Sequence, residues 1–390
     1  LISTNDSALF VVDASVFSIG SHNLFVRSKN SLGLWGLTNT DLFCRGTDAD
    51  FIADSACFGD MTLFVNSTFG ADTATVYQWD INNNGTVDFT TNDSVYYAFG
   101  QPGTHLVMLI SDNPGACGDT ILKEVFVREL PVPFIGNDTT ICAHESHIFN
   151  AGNQWASYVW SNGSTTPQIS VNTPGNYSVT ITDIYNCEGA DTAALQVNSL
   201  PELSGQVSYQ NGFIAPGDVK MNLYPYEFYV ENPLQSTLTG TNGHFLLDSI
   251  IPGAYMLHAE LLHPELYPNV VNTYYDSTYQ WATSTPIYLE CAETPNLYFK
   301  MVEITPLPIG PYKLAGYIHY IDTTGFKTVG EPVPGAEVYV EIEPDDEPIM
   351  NVSTDTSGYY LAADLPPGSY GISVDITGIP LINKYHNIVL

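Results

Sequence analysis

Basic residues are scarce in this 390-residue chain. Ten Lys and Arg stand against 42 Asp and Glu, for a formal charge of −32 and a pI near 4.1. A chain so poor in cations has no basic face with which to neutralise phosphates, which excludes a nucleic-acid binder of the usual electrostatic kind. It also disfavours adsorption to an anionic membrane surface. Long hydrophobic runs are missing too. The longest, such as Leu106-Val-Met-Leu-Ile110, have the length of a strand, and nothing approaches the roughly 18 apolar residues of a transmembrane helix. Charged residues of both signs make up only 13% of the chain, yet 44% of it is hydrophobic and 12% aromatic, so this is material for packed cores rather than disorder or exposed helices. Helical periodicity is nearly absent. So is the vocabulary of catalysis: there is no G-x-S-x-G elbow, no P-loop and no G-x-G-x-x-G in a strand–helix context, and no enzyme is expected within these residues.

Cysteine is sparse but its placement is informative. With six Cys and no CxxC or Cys/His cluster, the pairs read as disulfides of an oxidising compartment rather than zinc sites. Cys57 and Cys117 bracket one strand-rich block and Cys142 and Cys187 the next, so these two pairings are expected. Six cysteines admit fifteen connectivities, and Cys44 and Cys291 have no evident partner.

What recurs is short alternation of β-branched and aromatic residues, punctuated by turn dipeptides such as Asn84-Gly85, Asn162-Gly163, Pro174-Gly175, Pro252-Gly253 and Pro367-Gly368. Thr62–Asn66, Tyr177–Thr182 and Ala336–Ile342 alternate as half-buried strands do, one face inward and one in solvent. The expected fold class is all-β, a tandem of β-sandwiches. Proline-rich joints, Leu130-Pro-Val-Pro133, Leu200-Pro201 and Pro308 with Gly310-Pro311, act as stiff spacers and predict an elongated rod. The expected segments are 1–45, 46–130, 131–200, 201–305 and 306–390.

The last two segments carry an internal repeat. Leu203-Ser-Gly-Gln-Val-Ser-Tyr209 matches Leu314-Ala-Gly-Tyr-Ile-His-Tyr320, Thr241-Asn-Gly-His-Phe245 matches Thr356-Ser-Gly-Tyr-Tyr360, and Ile251-Pro-Gly-Ala-Tyr255 matches Pro366-Pro-Gly-Ser-Tyr370. The chain begins at Leu1 without Met, and the second copy stops soon after its Pro-Gly-x-Tyr strand, so the sequence reads as a mature protein or as an interior fragment of something longer.

These motifs resemble known modules. Val207, Pro334-Gly-Ala-Glu-Val338, Ser357-Gly-Tyr-Tyr360 and Leu365-Pro-Pro-Gly-Ser-Tyr370 are similar to the carboxypeptidase-regulatory (transthyretin-like or Cna-B-like) β-sandwich, a family whose usual role is that of a spacer or adhesive module. Tyr77-Gln-Trp-Asp80 and Tyr97-Ala-Phe-Gly-Gln-Pro-Gly103 resemble the PKD-like (polycystic-kidney-disease-type) sandwich, and Tyr158-Val-Trp160 with Pro174–Thr180 and Asn186-Cys187 resembles an Ig-like repeat. Residues 1–45 look like the tail of another β-repeat. The order of modules is similar to that of giant adhesins and appendage proteins of the type IX secretion kind, which implies a structural or adhesive segment of an extracellular surface protein: a stalk, filament or hook.

Few residues carry possible chemistry. In Asp80-Ile-Asn82-Asn-Asn84-Gly85-Thr86-Val-Asp88, oxygen side chains at positions 1, 3, 5 and 9, the Thr86 carbonyl and the glycine at 6 resemble a loop for Ca²⁺. Position 12 is Thr91 in place of Glu, so the loop is not an EF-hand and its affinity would be weak; the other reading is a type I′ Asn-Gly hairpin without metal. His144-Glu-Ser-His147 and His258–His263 lack zinc spacing, and Asp345-Asp346-Glu347 reads as a solvated turn. Trp79 and Trp160 are expected in cores beside cysteines. Trp155 and Trp281, with Tyr274 and Tyr275 in the aromatic segment 267–281, are the candidate ligand contacts, though a small core under a long loop explains the segment equally well. Expected partners are other copies of the chain, in a homo-oligomer or fibre joined through edge strands or through Cys44 and Cys291, and cell-surface glycans or proteins. The alternative is the carbohydrate-binding accessory region of a secreted hydrolase.

Overall fold

The computed structural model describes residues 13–390 apart from 14, 15, 19, 92, 93, 115, 116, 211, 228, 229, 231, 306 and 321–327; over 380–387 it gives the strand without its side chains. Among the described residues there is no α-helix; short 3-10 turns at Thr241–Gly243, Pro264–Leu266 and Trp281–Thr283 interrupt a chain of β-strands. The fold is all-β and built of β-sandwiches, as the alternation predicts. The chain divides into two compact units, Leu1–Asn137 with Ile148–Ser170 and Asn176–Ala194, and Asp138–His147 with Val171–Gly175 and Leu195–Leu390.

The first unit opens with an antiparallel hairpin, Gly20–Lys29 on Trp35–Arg45. Its turn is set by Asn30, whose side-chain oxygen accepts the amides of Leu32 and Leu34. A sandwich follows. One sheet contains Phe51–Ala53, Thr62–Asn66 and Val95–Tyr97; the other contains Phe89–Thr90, Val76–Asp80, Gly103–Asp112 and Asp119–Val127. Strand alternation turns Tyr77 and Trp79 inward beside Val107 and Leu109, and the indole of Trp79 meets the rings of Phe51 and Phe64 at 5.4 and 6.0 Å. Trp79 thus packs edge-on against rings from the opposite sheet, an arrangement that adds about 1 kcal/mol per aromatic pair to simple burial. Further on, Ser157–Trp160 lies antiparallel to Tyr158's partners in the strand Gly175–Thr182, with Trp160 opposite Val179. Trp160 is buried and donates its indole N–H to the carbonyl of Thr166 at 2.7 Å.

In the second unit Thr139–Cys142 runs parallel to Leu195–Asn198. Two related sandwiches follow. In the first, Leu203–Tyr209 pairs antiparallel with His244–Leu247 and parallel with Asn296–Lys300, facing a sheet built on Val219–Pro225 and Gly253–Leu261. In the second, Tyr312–Tyr317 pairs with Tyr359–Leu365, facing a sheet of Glu347–Ser353, Glu337–Ile342, Ser369–Ile376 and Ile379–Val389.

The sequence repeat is carried by matching contacts. Gly205 lies opposite Phe245 and Gly316 opposite Tyr360. A Cβ on either glycine would stand 2.7 or 2.8 Å from that ring, so the aromatic of the T-x-G-x-aromatic motif lies flat across its strand partner only because the partner is glycine. The tyrosines of the two Pro-Gly-x-Tyr motifs act alike: Tyr255 donates its hydroxyl to the carbonyl of Ile251, and Tyr370 donates to that of Pro366 at 2.6 Å.

The half-buried reading of Ala336–Ile342 needs correction. Val338 and Val340 enter the core, as the alternation predicts, but Tyr339 and Glu341 on the other face are buried as well. The same holds for Asn222 and Tyr224 on one sheet of the preceding sandwich, and for Met256 and His258 beside them. Both large sheets are therefore covered on two faces, and what covers their outer faces is the aromatic segment 267–284.

Candidate functional site

Three places concentrate side-chain chemistry. The first is the turn between Val76–Asp80 and Phe89–Thr90. It is not the two-residue hairpin expected of Asn-Gly: the positive φ angles fall at Asn83 and Gly85, and the turn spans residues 81–88. Asp80 is buried and accepts the amides of Asn84 at 3.0 Å and Gly85 at 2.7 Å. Asn82 accepts the amide of Asn84, Asn84 accepts that of Thr86 as well as its hydroxyl, and Asp88 accepts that of Ile81. Each side chain proposed as a calcium ligand thus closes the turn by accepting a main-chain amide, Asn82 and Asn84 in Asx turns, and oxygens that accept one amide keep a second lone pair for a cation. Among the described residues, this turn included, no three His, Cys, Asp or Glu lie close enough to hold a metal ion. Asp345, Asp346 and Glu347 form an exposed turn.

The second place is the seam within the second unit, where the segment 267–284 lies between the two related sandwiches. Tyr274 and Trp281, read as exposed contacts, are only 1% and 4% accessible; Tyr275 is half-buried against the preceding core. The correction has a physical cause. Their polar atoms are consumed by the next sandwich: the Tyr274 hydroxyl donates to Asp375 at 2.8 Å and lies 3.2 Å from the Thr377 hydroxyl, and the main-chain amide of Trp281 donates to the other Asp375 oxygen at 2.8 Å. Beside them Tyr279 donates to Glu341 at 3.0 Å and Asn272 to Glu337 at 3.3 Å. Three carboxylates share this face of the sheet, since Glu337 and Glu341 are four residues apart on one strand and Asp375 lies opposite Glu337 on the next. Burial raises Asp375 to about 6 and pushes Glu337 upward, each further raised by the other's charge or a neighbouring acid. Burial, with the Glu341 charge, raises the Tyr279 hydroxyl. On the facing sheet His258, its ring tilted against that of Tyr274 at 4.5 Å, is held down to about 3 by burial and by the charge of Lys220. Lys220 itself lies 3.8 Å from Glu260. The sequence reading missed Asp375, Glu341, Glu337 and His258. The one available signal was Tyr339, an aromatic on the face of Ala336–Ile342 read as lying in solvent.

The third place is the cysteines. All six are bridged, and the pairing differs from expectation: Cys44–Cys117, Cys57–Cys187 and Cys142–Cys291 replace Cys57–Cys117 and Cys142–Cys187. Cys44 and Cys291, read as unpaired, are therefore not available to join chains. The reason is geometric. Each cysteine sits at the end of a strand or in a loop, where it meets the neighbouring β-structure rather than the far end of its own, and Cα–Cα separations of 5.5–5.8 Å suit a bridge. Main-chain bonds lie beside the bridges. The Thr47 amide donates to the Cys117 carbonyl, Phe58 to Arg128, and Ala143 and Ala292 to Asn198 and Ser199. Next to Cys187 the Arg128 guanidinium lies 3.6 Å over the ring of Tyr185.

Trp155 is the remaining candidate contact. It is half-buried, with its indole N–H on the Ala151 carbonyl at 2.8 Å. It lines an open groove of about 400 Å³ with exposed Val132 and Phe134 and the amide side chains of Asn150 and Gln154.

A family model for the second β-sandwich domain of BOS complex subunit NOMO1-like proteins matches residues 202–272. Colossin-A of Dictyostelium discoideum is 27% identical over 160 residues, 38% of this chain; the chain spans 1% of the length of that relative. Among solved structures, the TIE protein of Bacillus anthracis aligns at 14% identity over 87% of this chain and 73% of its own, with a TM-score of 0.30. BcpA, the major pilin subunit of Bacillus cereus, aligns at 8% identity over 66% of this chain and 99% of its own, with a TM-score of 0.26. A 1.5-MDa bacterial ice-binding adhesin aligns at 12% identity over 55% and 91%, with a TM-score of 0.24.

Proposed function

We propose that this chain is a structural and adhesive segment of a large extracellular surface protein or appendage, of the type IX-secreted kind suggested by its sequence motifs, attaching its cell to other cells or surfaces. The observation that carries this reading is the use of every cysteine in a bridge between consecutive β-structures. Such bridges persist in oxidising surroundings and are rare in a reducing cytosol. The charge of −32 supports it, since like-charged beads stay soluble and repel one another in salty water. The partners are surface glycans or proteins, together with further copies of the chain that add along sheet edges rather than through thiols. The turn at Asp80, Asn82, Asn84, Thr86 and Asp88 serves in this reading as a weak calcium site of the extracellular class. Antibodies against the chain should label intact producing cells; labelling only after permeabilisation overturns the reading.

The groove at Trp155 favours a second reading, the accessory region of a secreted hydrolase. An aromatic face flanked by amides suits a sugar ring. A glycan array that gives binding lost in Trp155→Ala, with cell attachment unchanged in that variant, would select it.

A further inference from the structure

The six cysteines occur in the order 44, 57, 117, 142, 187, 291, and the bridges join the first to the third, the second to the fifth and the fourth to the sixth. The loops they close, with separations of 73, 130 and 149 residues, are neither nested nor side by side: each begins inside the one before. We propose that the three bridges form an interlocked mechanical clamp that makes the chain from Cys44 to Cys291 nearly inextensible under tension, whatever its surface attaches to.

Tension follows the shortest covalent path through the chain. A pull along the chain enters at Cys44, crosses to Cys117, follows the backbone to Cys142 and crosses to Cys291. Only about 25 residues of backbone lie on that path, which at full extension reach about 90 Å. Without the bridges about 247 residues lie between the same two cysteines, or about 890 Å. Both other stretches, 44–117 and 142–291, hang off the path and carry no load. Sandwiches within the clamp are thereby spared from unravelling in series, whereas the sandwich after Cys291 lies outside every bridge and can extend fully. The two pairings expected from sequence would have locked two sandwiches singly and left the joints between Cys44 and Cys291 extensible.

The three bridges differ in how much of that path depends on them. Removing Cys142–Cys291 reroutes the load through Cys57–Cys187 and on to residue 291, adding about 92 residues or roughly 330 Å of slack. Removing Cys44–Cys117 adds about 33 residues, near 120 Å. Removing Cys57–Cys187 adds nothing, because that bridge is off the shortest path. Its part is to catch the load when either of the others is broken.

The test is to pull the full chain by handles at its two ends, in single-molecule force spectroscopy, with the bridges intact and after reduction. Reduction should lengthen the fully extended contour by about 220 residues, close to 800 Å. The double variants Cys142→Ser with Cys291→Ser, Cys44→Ser with Cys117→Ser, and Cys57→Ser with Cys187→Ser should lengthen it by the large, small and zero increments above. Full extension does not require the variant to fold well, only that its remaining bridges form, which peptide mapping of the unreduced protein establishes. Equal contours with and without reductant, a lengthening in the Cys57/Cys187 variant as great as in the others, or mapping of a Cys57–Cys117 bridge in the parent chain would each overturn the clamp.

Discussion

The hydroxyl of Tyr274 donates to the carboxylate of Asp375, 101 residues further along and in the next β-sandwich, and both residues are almost wholly buried. A carboxylate so placed keeps its charge against desolvation, with two donors and no cation to help, so its pKa rises from 3.8 to about 6. The sign follows from linkage. A raised acid contributes full stability below its unfolded value near 3.8 and loses that contribution as the pH climbs through about 6.

Calorimetric unfolding of the parent chain and of Asp375→Asn across that window should therefore diverge. The parent should gain on the variant as the pH falls from 7 to 4, by at most about 3 kcal/mol. A constant difference across the window refutes the raised acid. Tyr274→Phe deletes a donor to the charged form, so it should cost more at pH 7, about 1–3 kcal/mol, than at pH 4.

His258 faces the same seam with the opposite sign. Its pKa falls from 6.5 to about 3, so its contribution is whole above 6.5 and is lost as the pH drops towards 3. Between pH 4 and 6 the two groups oppose each other, and the parent profile alone will look flat. His258→Phe separates them. Nδ1 has no hydrogen-bond partner among the described residues, so a ring of similar shape removes an uncompensated polar atom. We expect about 1 kcal/mol of added stability at neutral pH and a shallower acid limb in the same calorimetry; a destabilised variant with an unchanged acid limb would count against this account.

Why the seam escaped the sequence reading follows from what alternation reports. In Glu337-Val-Tyr-Val-Glu the period of two correctly separates Val338 and Val340 from Glu337, Tyr339 and Glu341. It cannot tell water from a neighbouring sandwich as the occupant of the second face. Local motifs fared better: the T-x-G-x-aromatic and Pro-Gly-x-Tyr repeats are short-range devices, and both copies make the same contacts. The cysteine pairing was illegible for the reason the seam was. Cys57 and Cys117 bracket one block, but a bridge depends on which strand ends approach in space, and spacing alone does not fix that.

The repeated glycines should be equally intolerant. Gly243 adopts φ +72° and Gly358 φ +76°, and a Cβ on each would stand 2.1 Å from the Val207 carbonyl oxygen or 2.4 Å from that of Ile318. Alanine there adds left-handed strain to a main-chain overlap that no side-chain rotation relieves. Gly243→Ala and Gly358→Ala should each cost about 2–4 kcal/mol in urea unfolding. Gly163→Ala, at φ +84° with nothing within 4 Å of its Cβ, should cost only about 1 kcal/mol. Equal losses at all three positions would show that backbone strain alone, and not the close approach, is what the motif glycines serve.

The turn at Asp80 permits a test that separates its own hydrogen bonds from an ion. Its buried carboxylate accepts two amides, so Asp80→Ala strands both donors and should cost about 1–3 kcal/mol even in EDTA. Calcium adds to that framework only through the remaining lone pairs. With a dissociation constant near 10⁻³ M, about 5 mM calcium should stabilise the parent chain by roughly 1 kcal/mol, a rise of a few degrees in Tm. Asp88→Asn keeps an oxygen for the Ile81 amide but lowers the charge on the ion, so it should keep most of its stability in EDTA and lose the calcium increment. A parent chain whose Tm does not move at millimolar calcium has no metal site in this turn, and the penalty for Asp80→Ala in EDTA then measures the hydrogen bonds alone.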